Sequence, residues 1–296
     1  MNNMVRRPKS EYWLEEEAEK MTLELENGAK LRILYFKAKK KDKDTLNLVF
    51  YSGFISYVYI WEKAIEKLRE KHDIYFIETR EKEFSRFPKD EVIYNTETLA
   101  EDFVLALEEC KIIGHDMENT VFIGSSIASV AMLEAMGKHN INPLISFHAS
   151  PQMKYTAADR RKNMHIIGRI PYFIVLLIKP LIFFFYGLKF RKDRDSARRR
   201  KHTLARLLQP SQQRWMRKTK TFAAPYEVDK EALKKINSPV IIIGAKEDPE
   251  HDEEEVQKLI NLIPGSKFIK VEEKADTHNE VFAEIVFEEL NKLRKK

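Results

Sequence analysis

One cysteine in 296 residues, Cys110, excludes an intramolecular disulfide framework and any cysteine-based zinc cluster. A chain without disulfides suits a reducing compartment. No Gly-x-Gly-x-x-Gly or Gly-Lys-Ser/Thr string occurs, so the chain offers no glycine-rich cradle for phosphates. The basic start, Met1 to Trp13, is followed by no apolar run and lacks the pattern of a signal peptide. Glutamate is missing altogether between Pro151 and Pro225, where 19 Lys/Arg stand against 3 Asp. A local charge of +16 within a total of +6 leaves −10 for the rest of the chain. An asymmetry of that size bears on partners more than the total does. The run His251-Asp252-Glu253-Glu254-Glu255 has donors for a metal ion, but acids that open a helix ordinarily serve its dipole. No metal and no cofactor is expected.

What is present is an ordinary globular composition, 43% hydrophobic and 33% charged, long enough for one large α/β domain with an insertion. Lys20 to Glu26 and Lys30 to Phe36 alternate polar and apolar residues around Asn27-Gly28, the dipeptide of a tight hairpin turn. Leu46 to Tyr51 is a short buried-type strand. Helical and strand periods then alternate: helix Trp61 to Lys71, strand Asp73 to Glu78, helix Thr96 to Cys110, strand Thr120 to Gly124, helix Ser126 to Gly137, strand Pro143 to Phe147. The alternation stops at Ser150 and resumes near Val228. Strand Val240 to Gly244, helix Glu253 to Leu262, strand Lys267 to Val271 and helix Glu280 to Lys295 complete the chain. Such alternation builds a mostly parallel sheet through right-handed crossovers. The expected organisation is a core over 1–150, an inserted module over 151–227 and the rest of the core over 228–296.

The strand Thr120 to Gly124 runs into a helix through Gly124-Ser125-Ser126-Ile127-Ala128. This resembles the G-x-S-x-G nucleophile elbow of the α/β-hydrolase family, in the strand–turn–helix setting that the motif requires. Leu48 to Phe54 is similar to the family's strand that ends in His-Gly, with Ser52 where the family has histidine. Tyr75 to Arg80 resembles the strand that ends in Asp-x-Arg, with Glu81 and Glu83 where glycines are usual. The resemblance implies an eight-stranded, mostly parallel sheet flanked by helices, with a helical cap inserted after strand 6. It also implies a triad in the chain order Ser126, Asp248, His278, with Glu247 as the reserve acid, and oxyanion amides at Phe54 and Ile127. Asp248 follows the strand Val240 to Ile243, and His278 precedes the last helix. His148 has the place of a structural histidine just beyond a strand.

The insertion carries an apolar run, Ile170 to Ile178 and Leu181 to Leu188, interrupted by Lys179-Pro180. A central lysine costs about 3 kcal/mol on insertion into a bilayer, proline breaks or kinks a helix, and both ends must return to one sheet. Two short apolar helices meeting at Pro180 are therefore expected, with Phe173, Leu177, Phe183 and Phe184 lining an acyl channel. Arg191, Lys192, Arg194 and Arg198 to Lys201 follow at once. Aromatics beside basic residues suit an interfacial contact with an anionic membrane. Arginine clusters also serve nucleic-acid phosphates, but no recognisable motif accompanies them and the Phe183-Phe184-Phe185 run suits lipid better. The expectation is a cytoplasmic serine esterase or lipase-like enzyme with peripheral membrane contact. The alternative is a non-catalytic protein of the same fold that binds lipid or a protein partner.

Overall fold

A computed structural model describes residues 13–25, 30–54, 56–82, 95–112, 116–151, 154–155, 170–189, 194–209, 226–246 and 253–294. In chain order the core elements are α1 (Trp13–Glu16), β1 (Glu19–Glu24), β2 (Lys30–Phe36), β3 (Asn47–Ser52), α2 (Glu62–Leu68), β4 (Asp73–Glu78) and α3 (Thr96–Glu109). They continue with β5 (Thr120–Ser125), α4 (Ser126–Lys138) and β6 (Ile145–Ala149). The insertion contributes β7 (Lys154–Tyr155), α5 (Tyr172–Lys189), α6 (Arg194–Leu207) and β8 (Tyr226–Glu227). The core resumes with α7 (Lys230–Lys234), β9 (Val240–Ala245), α8 (Glu253–Leu262), β10 (Lys267–Val271) and α9 (Glu280–Arg294).

Eight strands form one sheet in the order β1-β2-β4-β3-β5-β6-β9-β10. β2 runs antiparallel to both its neighbours, and every other pair is parallel. Strand alternation sorts the core into two layers. Val49, Tyr51, Phe122 and Ile242 face α3, α4 and α8, while Leu48, Phe50, Val121, Ile123, Ile241 and Ile243 face α2 and α9. Each such side chain, buried on both flanks, contributes about 1.5–3 kcal/mol by leaving water. Gly137 lets α4 approach α7 closely, since a β-carbon there would lie 1.9 Å from the Ala232 carbonyl oxygen.

The antiparallel pair β7 and β8 joins the entry and exit of the insertion. Helix α6 is fastened to the core by buried charge. Arg206 donates to Glu15 at 2.5 Å, Glu15 also accepts from Arg32, and Arg32 grips Glu78 through two bonds of 2.6 and 2.9 Å. Four charges buried together alternate in sign, which offsets the desolvation each would suffer alone. Tyr59 adds a hydrogen bond to Thr203.

Three expectations are corrected. The apolar run is one 18-residue helix through Pro180, not two short helices. The proline forfeits its own N–H bond, and the Leu-, Ile- and Phe-rich turns on either side keep theirs. The helix expected over Trp61 to Lys71 is confined to α2, preceded by a 3-10 turn at Val58–Ile60. Strand β6 lies two residues later than its apolar pattern suggests, so His148 stands inside the strand and fully buried. The Asn27-Gly28 turn lies outside the described residues, although the Glu24–Lys30 pairing flanks it.

Candidate active site

Strand β5 delivers Ser126 to the first position of α4 with φ +50°. A non-glycine residue in this left-handed region costs about 1–2 kcal/mol, so the surroundings must hold it there. They do so from both sides. A β-carbon on Gly124 would sit 2.8 Å from the Ser129 Cα, which is why strand and helix can turn so sharply only with glycine at that point. Ala128, where the family has its second glycine, is fully buried. The turn also exposes the first amides of α4, Ile127 among them, which find no acceptor within the helix and carry its positive pole.

Strand β3 brings the second half of the site alongside. The Gly53 N–H donates to the Ser125 Oγ at 2.9 Å. A β-carbon on Gly53 would lie 2.7 Å from the Ser125 carbonyl oxygen and 3.1 Å from the Ser126 Cβ. The Ser56 N–H returns to the Gly53 carbonyl at 3.0 Å and closes a turn that contains Phe54. Phe54 packs against the α3–α4 layer. Tyr51 points away into the core, with its ring stacked on Phe103 and its hydroxyl on the Leu99 carbonyl at 2.8 Å.

Ser52 is buried at the position of the family histidine, and its hydroxyl has no hydrogen-bond partner among the described residues. The loop is braced instead by Lys82, which sequence reasoning missed because nothing local marks it. Fully buried, Lys82 donates to the carbonyls of Ser52 and Gly53 at 3.3 and 3.0 Å, to Thr79 Oγ1 at 2.5 Å and to Glu81 Oε1 at 3.0 Å. Arg80 is structural: it clamps Asp102 with bonds of 2.7 and 2.5 Å.

His278 follows the 3-10 turn Lys274–Thr277, just before α9. Its ring lies 4.4 Å from that of Trp61, centroid to centroid. The Trp61 indole N–H donates to Ser56 in the turn that contains Phe54. The Thr277 hydroxyl donates to the Lys274 carbonyl at 2.8 Å. Its single proton is thereby committed, so in the 2.5 Å contact with His278 the ring Nδ1–H is the donor. That tautomer leaves Nε2 as the basic nitrogen, the one a general base uses. Asp248 and Glu247 lie outside the described residues, beyond the end of β9, as does the acidic start of the run at His251.

His148 sits beside the elbow in register with Gly124. Neither ring nitrogen has a hydrogen-bond partner among the described residues, and burial pushes its pKa down to about 3. A histidine that stays neutral under the nucleophile turn is a packing residue. Of the residues expected to line an acyl channel, Phe173, Leu177 and Phe184 are 63%, 75% and 61% exposed, and Phe183 is half-buried under Lys179. Only Val175 of α5 is buried among its described side chains. The apolar face of α5 therefore looks outward.

No protein-family model matches the sequence, and no curated protein resembles it in sequence; the likeness is one of structure. A hydrolase from Pseudomonas aeruginosa superposes over 92% of this chain and 98% of its own, with TM-score 0.68 at 13% identity. The enol-lactonase of Burkholderia xenovorans covers 92% of this chain and 100% of its own, with TM-score 0.66 at 12% identity. A carboxylesterase from Bacillus subtilis covers 92% and 90%, with TM-score 0.66 at 13% identity. The eight-stranded, mostly parallel sheet accords with these likenesses, and the chain has the α/β-hydrolase fold.

Proposed function

We propose that the chain is a serine hydrolase that cleaves carboxylic esters or thioesters of apolar acyl groups. The observation that carries the reading is the backbone of Ser126, held at φ +50° at a helix start with Gly53 packed against it. Strain of this kind persists where function requires the side chain to be presented. In the implied reaction the Ser126 Oγ attacks the acyl carbon while its proton passes to His278 Nε2. The amides of Ile127 and Phe54 receive the oxyanion. Collapse expels the alcohol or thiol, which takes the proton from His278 and leaves an acyl-enzyme. A water molecule, deprotonated by His278, then releases the carboxylic acid and restores the serine. Asp248, with Glu247 in reserve, is the acid that would stabilise the imidazolium.

The insertion supports the proposed substrate class. Helix α5 presents Phe173, Leu176, Leu177, Leu181, Phe184 and Leu188 at three- and four-residue steps, all at least half exposed. From Tyr172 to Leu207 the chain holds 10 Lys/Arg and 2 Asp. An apolar face beside a net charge of +8 complements an anionic lipid surface. Among the described residues no helix is long and apolar enough to cross a membrane, so the contact proposed is peripheral and the acyl substrate is drawn from that surface.

A non-catalytic lipid-binding reading has one observation in its favour: the His278 nitrogen that a triad acid would hold is engaged by Thr277. Labelling by a fluorophosphonate probe separates the two. Wild type should label, and Ser126→Ala and His278→Ala should not. A folded wild type that stays unlabelled in the presence of anionic vesicles excludes the enzyme and leaves the binding protein.

A further inference from the structure

We infer that Lys82 is a positioning residue for the peptide that binds the oxyanion, an inference that rests on the serine-hydrolase reading above. The carbonyl that accepts from Lys82 at 3.0 Å, that of Gly53, belongs to the same planar peptide as the Phe54 N–H. In a trans peptide the carbonyl and the N–H point in opposite directions, so a cation fixed on the one sets the direction of the other. The cation also polarises the peptide, and a polarised N–H is a stronger donor. The preceding peptide is gripped from both ends as well. Lys82 holds the Ser52 carbonyl at 3.3 Å, and the Gly53 N–H holds the Ser125 Oγ at 2.9 Å, one residue before the nucleophile.

Lys82 thus joins two consecutive peptides of the loop to the elbow itself. It stands in for the histidine that the family carries at the position of Ser52. Glu81 supplies the opposite charge that a buried ammonium requires, at 3.0 Å, while Thr79 donates to the same carboxylate oxygen at 2.7 Å. The side chain is fully buried behind the loop, so its role is to aim the amide rather than to touch substrate.

The test is steady-state hydrolysis of p-nitrophenyl butyrate by wild type, Lys82→Met and Ser126→Ala, with folding checked by circular dichroism. Loss of an oxyanion donor costs about 100-fold or more in turnover, so Lys82→Met should lower kcat about 100-fold and leave KM within about threefold. A folded Lys82→Met whose kcat stays within threefold of wild type, or whose loss is carried by KM alone, overturns the inference and leaves the hydrolase reading standing. A wild type no more active than Ser126→Ala overturns both. Should Lys82→Met not fold, Thr79→Val replaces it. That variant removes the closest of the four acceptors and keeps the cation, and it should lower kcat about tenfold at unchanged KM; no change in kcat overturns the inference.

Discussion

Substitution of Gly124 by alanine tests whether the elbow geometry governs activity. The new methyl group would stand 2.8 Å from the Ser129 Cα, 2.9 Å from the Ser129 Oγ and 3.3 Å from His148 Nδ1. Carbon atoms rest about 3.5–4.0 Å apart, so helix α4 must retreat from β5 by roughly 1 Å. Overpacking of this kind costs about 1–3 kcal/mol of stability. The same retreat carries Ser126, and a misplacement of about 1 Å at a reacting group costs about 100-fold in rate. Gly265→Ala is the matched control. Its φ of +68° makes alanine strained by about 1–2 kcal/mol, yet no atom lies within 4 Å of the new methyl, and the turn leads into the start of β10 whereas Ser126 follows the end of β5 in the same parallel sheet. Urea unfolding should show both variants destabilised by comparable amounts. Ester hydrolysis should fall about 100-fold in Gly124→Ala and stay near wild type in Gly265→Ala. Equal kcat in the two variants refutes the reasoning, because the loss would then track stability and not the position of Ser126.

The remaining predictions concern pH and the membrane face. In the unfolded chain His148 titrates near its ordinary 6.5, whereas burial in the fold holds it at about 3. As pH falls the unfolded state binds the proton first, so stability is lost from about pH 6.5 downward, by up to about 1.4 kcal/mol per unit. Between pH 7 and pH 4.5 this amounts to about 2–3 kcal/mol. His148→Leu should shrink the acid loss seen in urea unfolding by that much, and an undiminished loss in the variant would rule the histidine out as its source. Wild type should sediment with anionic vesicles at low salt, less so at high salt, and not with neutral vesicles. Leu177→Glu, at the most exposed of the described large apolar side chains of α5, should weaken that binding at least about tenfold, since it removes apolar burial and adds charge repulsion. Equal sedimentation of wild type with both kinds of vesicle, or an unaltered Leu177→Glu, refutes the docking face.

The α/β alternation was legible because strand and helix periods are properties of the backbone, repeated locally along the chain. Val240 to Gly244 reads as a buried strand and Thr96 to Cys110 as an amphipathic helix without reference to anything distant. The elbow was legible for the same reason: Gly124, Ser126 and Ala128 act on one another across five residues. The tertiary structure alone decided the outward face of α5, the place of His148 within β6, and the brace that Lys82 applies to a loop 29 residues earlier. None of these has a local signature. Each depends on which strands pair and which atoms that pairing brings within 3 Å, and contacts between distant residues come into being only when the chain has closed on itself.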